Sequence, residues 1–182
     1  FISKIGDAIK GFEIGDRVVV TLIKSCGNCN NCSEGNPTIC EDNSNAEPPI
    51  LSMKGNTIQQ VMNCGAFAEK VVVDQSQIVK LNTDLNFATA SLLACGVITG
   101  IGAVVNAAKL RPGQDVVVIG AGGVGLNAIQ GARIAGARRI VAVDTNDDKL
   151  TIAKEFGATD GVLATEKSPW RIAKFLVGRG AD

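Results

Sequence analysis

Asp115-Val-Val-Val-Ile-Gly-Ala-Gly-Gly-Val-Gly125 decides the fold. After Asp115 comes an unbroken β-branched run, Val116 to Ile119, of the kind found in a parallel strand buried on both faces. Gly120-x-Gly-x-x-Gly125 follows at once, and from Val124 to Ala135 the polar residues Asn127, Gln130 and Arg133 recur every third position, as on a packed helix. A strand, a glycine turn and a helix in that order make the first half of a βαβ unit. A second strand, Ile140 to Val143, leads into Asp144, at about the 20-residue distance expected of the acidic residue that meets the adenosine ribose in a dinucleotide site. Gly120 would form the tight turn, Gly122 would admit a pyrophosphate, and Gly125 would let the helix pack on its strand. Gly123 and Val124, in the same loop, are candidate cofactor contacts. A carboxylate at position 144 repels a 2′-phosphate, which favours NAD over NADP. The competing reading is an empty crossover that is merely rich in glycine.

Downstream, the alternation continues. Asn146 suits the N-cap of a helix with Asp147 and Asp148 in its positive first turn, and Gly157 suits its end. Gly161 to Ala164 reads as a short third strand, and Ser168-Pro169 opens a further helix that Gly178 can end. A fourth strand is expected where the sequence reaches Gly180-Ala-Asp182.

Upstream, the pattern is different. Gly15-Asp16 supplies a turn into a strand from Val18 to Leu22, and Gly65 to Val73 and Gln77 to Leu81 read as further strands. Residues 41–63 are polar, contain Pro48-Pro49 and read as irregular. Thr89 to Ala107 is apolar, rich in Ala and Gly, and reads as one or two helices leading into a second domain. The expected division is residues 1–94 and 95–182.

Between the first two of these strands lies Cys26-x2-Cys29-x2-Cys32-x7-Cys40. Four thiols on one short loop are a complete tetrahedral set for Zn²⁺, and a closed four-thiolate site is structural because no position stays open for substrate. Free cysteines or two disulfides are the alternatives. The lobe is expected to span about residues 24–45. Cys64 and Cys95 have no such partners in sequence, and each reads by itself as a small buried hydrophobe. Lys149 reads on spacing alone as a surface lysine.

Composition narrows the class. An apolar share of 46% with only 4% aromatics and 21 glycines suits an α/β enzyme of packed aliphatic strands and glycine turns. Eighteen basic residues balance eighteen acidic ones, so no charge excess is available to attract a nucleic-acid backbone. No apolar run reaches the roughly 18 residues of a membrane span. Six cysteines without a signal peptide point to a reducing, cytoplasmic setting. The sequence begins Phe1-Ile-Ser-Lys and contains no histidine, both expected of an internal fragment.

Four segments together resemble the zinc-dependent medium-chain alcohol dehydrogenases. They are Gly11-Phe-Glu-Ile-Gly-Asp-Arg-Val18, the four-cysteine lobe, Leu93-Ala-Cys-Gly-Val-Ile-Thr-Gly100, and Gly120 to Gly125 with Val141-Ala-Val-Asp144. The third segment leans toward the alcohol and glutathione-dependent formaldehyde dehydrogenase branch. The resemblance implies an α/β chain: a partial GroES-like β domain bearing the zinc lobe, then the first half of a Rossmann doubly wound domain. It implies that Cys95 is one of three ligands of a catalytic zinc, that Thr99 and Val124 touch the nicotinamide, and that Lys149 lies near the adenosine ribose. The other two zinc ligands, a cysteine and a histidine, are expected upstream. The expected activity of the parent is hydride transfer between a small primary alcohol or aldehyde and NAD, the fragment itself being inactive. A non-catalytic, zinc-stapled scaffold is the alternative. Self-association through the strand Asp115 to Ile119 is expected in place of the family's usual dimer.

Overall fold

The computed structural model describes residues 1–41, 51–58, 60–165, 168–178 and 181. The chain divides into two compact units, Phe1–Ala94 and Cys95–Asp182.

In the first unit, β1 (Val18–Val20) is reached through a turn at Gly15, whose φ of +94° is the left-handed conformation that glycine adopts without strain. The structure goes on through α1 (Asn30–Ser33) and a 3₁₀ turn at Pro37–Ile39 to a hairpin, β2 (Leu51–Met53) and β3 (Asn56–Ile58). This hairpin lies in the stretch that the sequence suggests is irregular. Its two turn residues, Lys54 and Gly55, both have positive φ, as a tight two-residue hairpin turn requires. Lysine in that role is an unusual signal, and the exposed Asn-Thr-Ile of β3 shows no alternation to announce a strand.

β4 (Ile78–Lys80) pairs antiparallel with β1, Val19 opposite Val79. The bonding continues one step past each end, with Thr21 N–H donating to Gln77 at 2.8 Å and Leu81 N–H to Arg17 at 2.8 Å. Residues 65–73 form no strand, contrary to the sequence reading. Ala66 to Lys70 are exposed, and the Val72 carbonyl accepts from the Gln60 side chain at 3.1 Å. A β-branched run supplies the propensity, but a strand also needs a neighbour. α2 (Phe87–Ser91) is N-capped by Asn86, which accepts from Thr89 N–H at 2.8 Å, and a 3₁₀ turn at Leu92–Ala94 closes the unit. Arg17 ties the approach to α2 down: its guanidinium donates to the carbonyls of Thr83 and Leu85 and sits 4.7 Å from the Phe87 ring centroid.

The second unit alternates strand and helix. α3 (Gly96–Gly102) runs on into a π-helical turn at Ala103–Ala107. Then come β5 (Asp115–Ile119), α4 (Gly123–Ile134), β6 (Arg139–Asp144), α5 (Asp147–Phe156), β7 (Asp160–Leu163) and α6 (Pro169–Val177). The three strands are parallel in the order β5-β6-β7, with Val117 opposite Val141 and Val143 opposite Val162. Alternation along β6 builds two cores. Ile140 and Ala142 join Val104, Ile129, Ala132, Leu150 and Ala153, while Val141 and Val143 join Val162 and Ala173 on the other face. Burial on both faces is why the strand reads as a continuous apolar run. Full burial of Ile129 alone contributes roughly 2–3 kcal/mol. Asn146 caps α5 by accepting from Asp148 N–H at 2.8 Å, and Gly157 ends it at a φ of +118°.

Candidate functional site

The lobe between β1 and β4 gathers its thiols by local backbone geometry. Cys29 N-caps α1, which carries Cys32, and the 3₁₀ turn at Pro37–Ile39 delivers Cys40. All four sulfurs lie within 4.8 Å of one another. Cys26 Sγ is 4.0 Å from Cys32 Sγ, and Cys29 Sγ is 3.9 Å from Cys40 Sγ. A tetrahedron of Zn–S bonds of about 2.3 Å has sulfur edges of about 3.8 Å, so the donor set fits zinc. Backbone N–H groups point at the sulfurs: Cys26 N–H toward Cys40 at 3.4 Å, Cys29 N–H toward Cys26 at 3.3 Å and Cys32 N–H toward Cys29 at 3.5 Å. Such donors stabilise thiolate charge and orient the ligands. The N–H of Cys32, with that of Glu41, pulls the Cys29 thiol down to about 6, while burial pushes Cys32 up to about 12. Gly27 takes φ +76° between the first two ligands.

The root of the lobe is anchored. Ser25 N–H, next to Cys26, donates to Ser76 Oγ at 3.1 Å. Gln77 is only 1% exposed. Its side-chain amide donates to the Thr21 carbonyl at 3.1 Å and accepts from Asp74 N–H at 3.2 Å. Nothing in the sequence singled out Ser76 or Gln77. The trace they leave is Asp74-x-x-Gln77, a capping box on a short turn.

In the second unit, the glycine loop joins β5 to α4. Gly120 has φ +92°, and its N–H donates to the Val143 carbonyl at 2.7 Å. A Cβ at Gly125 would lie 1.8 Å from the Gly120 carbonyl oxygen, so only glycine lets α4 start so close to the turn. Gly122 and Gly123 have open space where a Cβ would be, and no side chain caps α4 at Gly122. An uncapped helix N-terminus with clear access is a ready anion site, which fits a pyrophosphate.

Asp144 is 8% exposed at the end of β6 and faces this loop. One oxygen accepts from Ala121 N–H at 2.7 Å and the other from Asn146 N–H at 3.0 Å. The Ala121 bond first, helped by the Asn146 bond and the positive charge of Lys149, holds the carboxyl below its usual range. The carboxylate keeps further lone pairs for a ribose diol.

Thr99 lies in α3 and Val124 in the first turn of α4, and the two helices pack on one another. Gly100, next to Thr99, would put a Cβ 2.5 Å from the Val124 carbonyl. Cys95 precedes α3 and is exposed, and it stands outside the four-thiol group, the only such cluster among the described residues. Cys64 is half-buried, with its sulfur 3.8 Å from the Val61 carbonyl, rather than in a core. Among the described residues no single helix is long and apolar enough to cross a membrane.

Residues 1–83 match the family of the alcohol dehydrogenase GroES-like domain, and residues 123–182 match the zinc-binding dehydrogenase family. Alcohol dehydrogenase 6 of Peromyscus maniculatus is 36% identical across all of this chain and 51% of its own length. An S-(hydroxymethyl)glutathione dehydrogenase of Synechocystis sp. is 38% identical over 87% of this chain and 45% of its own. Benzyl alcohol dehydrogenase from Acinetobacter calcoaceticus superposes with a TM-score of 0.85 at 31% identity, covering 98% of this chain and 50% of that one. An alcohol dehydrogenase zinc-binding domain protein from Burkholderia ambifaria gives the same score at 29% identity, with 99% and 51% covered. The chain spans about half the length of the curated relatives it matches.

Proposed function

The chain belongs to the zinc-dependent medium-chain alcohol dehydrogenase family, and we propose on that premise that it is the central part of an enzyme passing hydride between a primary alcohol or aldehyde and NAD. The observation that carries this reading is Asp144, held ionised against an open glycine loop by the Ala121 N–H. There it can receive the adenosine ribose, while the uncapped start of α4 receives the pyrophosphate. Its charge opposes a 2′-phosphate, so NAD is preferred to NADP. Thr99 and Val124 border the nicotinamide side, and Lys149 lies beside the ribose.

In this reading Cys26, Cys29, Cys32 and Cys40 hold one structural zinc, and Cys95 contributes one thiolate to a catalytic zinc. When bound, that second metal supplies Lewis acidity, lowering the pKa of a coordinated alcohol. Its two remaining ligands, a cysteine and a histidine, come from other parts of the enzyme. Histidine is absent from this sequence, so the chain alone is inactive and Cys95 alone retains no zinc. The relatives named for alcohols, benzyl alcohol and S-(hydroxymethyl)glutathione set the range of substrates to try. The absence of histidine also favours a second reading for the chain by itself, a zinc-stapled scaffold without catalysis. A cytoplasmic location follows from the reduced thiols that the zinc lobe requires.

The test has two parts. The longer reading frame containing this sequence should oxidise primary alcohols with NAD, and Asp144→Asn should erode its preference over NADP. The 182-residue chain should show no turnover and bind NAD more weakly than low micromolar. An inert longer protein would overturn the enzyme reading, and tight NAD binding by the chain would overturn only the expected weakness of its site in isolation.

Among the described residues β5 has one strand neighbour, β6. We assign self-association of the chain to this edge, by pairing with a second copy. Val117 packs into the second core, so Ile119, 84% exposed, is the cleaner probe. Ile119→Lys should shift light scattering toward monomer. A wild-type chain that is monomeric at micromolar concentration would exclude the assignment.

A further inference from the structure

α3 and α4 meet at a buried glycine. A Cβ on Gly100 would lie 2.5 Å from the Val124 oxygen, 2.7 Å from the Ala128 nitrogen and 2.7 Å from Asn127 Cβ. Two of these atoms are backbone and cannot rotate aside. Lower along the same seam, a Cβ on Gly131 of α4 would meet Ile101 Cα at 3.1 Å and Val104 Cβ at 3.6 Å. Gly102, in the same helix as Gly100, is different: a Cβ there would meet nothing nearer than Asn106 Nδ2 at 3.8 Å. The close approach is therefore a property of one face of α3.

That face lies near the business end of both helices. Cys95 precedes α3, and its carbonyl accepts from Thr99 N–H at 2.9 Å. Gly122 precedes α4, and Val124, whose oxygen Gly100 meets, is in its first turn. Helices are stiff over such distances, so displacement at the crossing carries to their ends.

We propose that Gly100 is a positioning residue that seats the helix presenting Cys95 and Thr99 directly on the first turn of the helix opening the glycine loop, so that the two segments move as one body. The functional meaning rests on the dinucleotide reading given above; the seam does not. Any β-carbon at position 100 would push α3 away from Val124 and move Cys95 relative to Gly122.

The test uses the 182-residue chain, with alkylation of Cys95 by iodoacetamide followed by peptide mass spectrometry. Gly100→Ala should change the ligand-free rate by about threefold or more, with amide protection of β6 unchanged. Gly102→Ala should leave the rate alone. An unchanged rate in a folded Gly100→Ala chain overturns the proposal. Native-state hydrogen exchange on the wild type provides a second, independent reading, decisive if Gly100→Ala does not fold. Amides of residues 99–102 and 124–128 should share one opening transition under mild urea. Separate openings would refute a single body. Excess NAD separates the two ideas. Protection that rises at residues 123–127 and also across α3 supports both, and a rise confined to residues 123–127 defeats the positioning role. No rise anywhere counts against the dinucleotide reading, while the ligand-free measurements still decide the seam.

Discussion

The cysteine lobe and the β5-β6-β7 unit are held together by opposite means. From Asn30 to Ile39 the lobe contains no buried residue, and its order depends on four sulfurs converging on one point. The second unit has no such point. It is held by Ile129, Ala132, Ile140, Val141 and Ala153 at 0–2% exposure, arranged on both faces of one sheet. The lesson is that a region without a core can be as well defined as one with a core, provided its donors are local and complete. The two regions should therefore fail under different insults.

Removing the metal should have the largest effect. Structural zinc sites of this type are worth about 10 kcal/mol or more to the folded form. Strong chelation, or Cys29→Ser, should take zinc from one equivalent toward none and erase amide protection in the lobe. Protection of β6 should stay. Loosening of both regions together would break the comparison.

The converse variant comes next. Ile129→Ala should destabilise the second unit by about 2–5 kcal/mol through lost burial and a cavity. Calorimetry of the unfolding transition would show it, and metal analysis should still find one zinc per chain. Zinc loss in this variant would mean that the regions are coupled.

Within the second unit, acid supplies a smaller effect through one carboxylate. The Asp144 carboxyl is held below its usual range, so its contribution is complete above the unfolded-state value and is lost as pH falls through the folded one. Stability should decline below about pH 4, and Asp144→Asn should flatten that part of the curve while weakening the unit at neutral pH. An identical acid profile for the variant would count against the Ala121 and Asn146 bonds.

The smallest expected change concerns the root of the lobe. Ser76→Ala removes the acceptor of Ser25 N–H and should cost about 1 kcal/mol. It should raise the exchange rate at Ser25 and Cys26 without reducing bound zinc.

The second unit was legible in sequence because each of its signals is local. Asn146 and Gly157 mark both ends of α5, and a β-branched run marks β5 and β6, although only β6 is buried as such a run suggests: Val116 to Val118 of β5 are half-buried and Ile119 is exposed. The cysteine spacing was legible for the same reason. The first unit was harder to read because its strands depend on partners. Val71 to Val73 has strand propensity but no paired strand among the described residues, whereas Asn56 to Ile58 has little and pairs with Leu51 to Met53 through Lys54-Gly55. In the candidate site, Gly120 to Gly125 and Asp144 could be picked out singly, but the bond from Ala121 N–H to Asp144 could not, because it joins the glycine loop to the end of β6 rather than sequence neighbours. Gly100 left a faint trace: a glycine within an apolar helical stretch, where alanine would be the better helix former.

The lobe lies inside the connection between β1 and β4, whose pairing sets Val20 opposite Ile78. A loop of that length closes against a chain-entropy penalty, and slow, non-local pairing is the usual result. Four sulfurs within one short stretch can be drawn together before that pairing exists. Metal uptake during synthesis would then shorten the free span still to be closed. It would turn a long-range search into a shorter one, so the availability of zinc would set how fast the first unit folds as well as how firmly it holds.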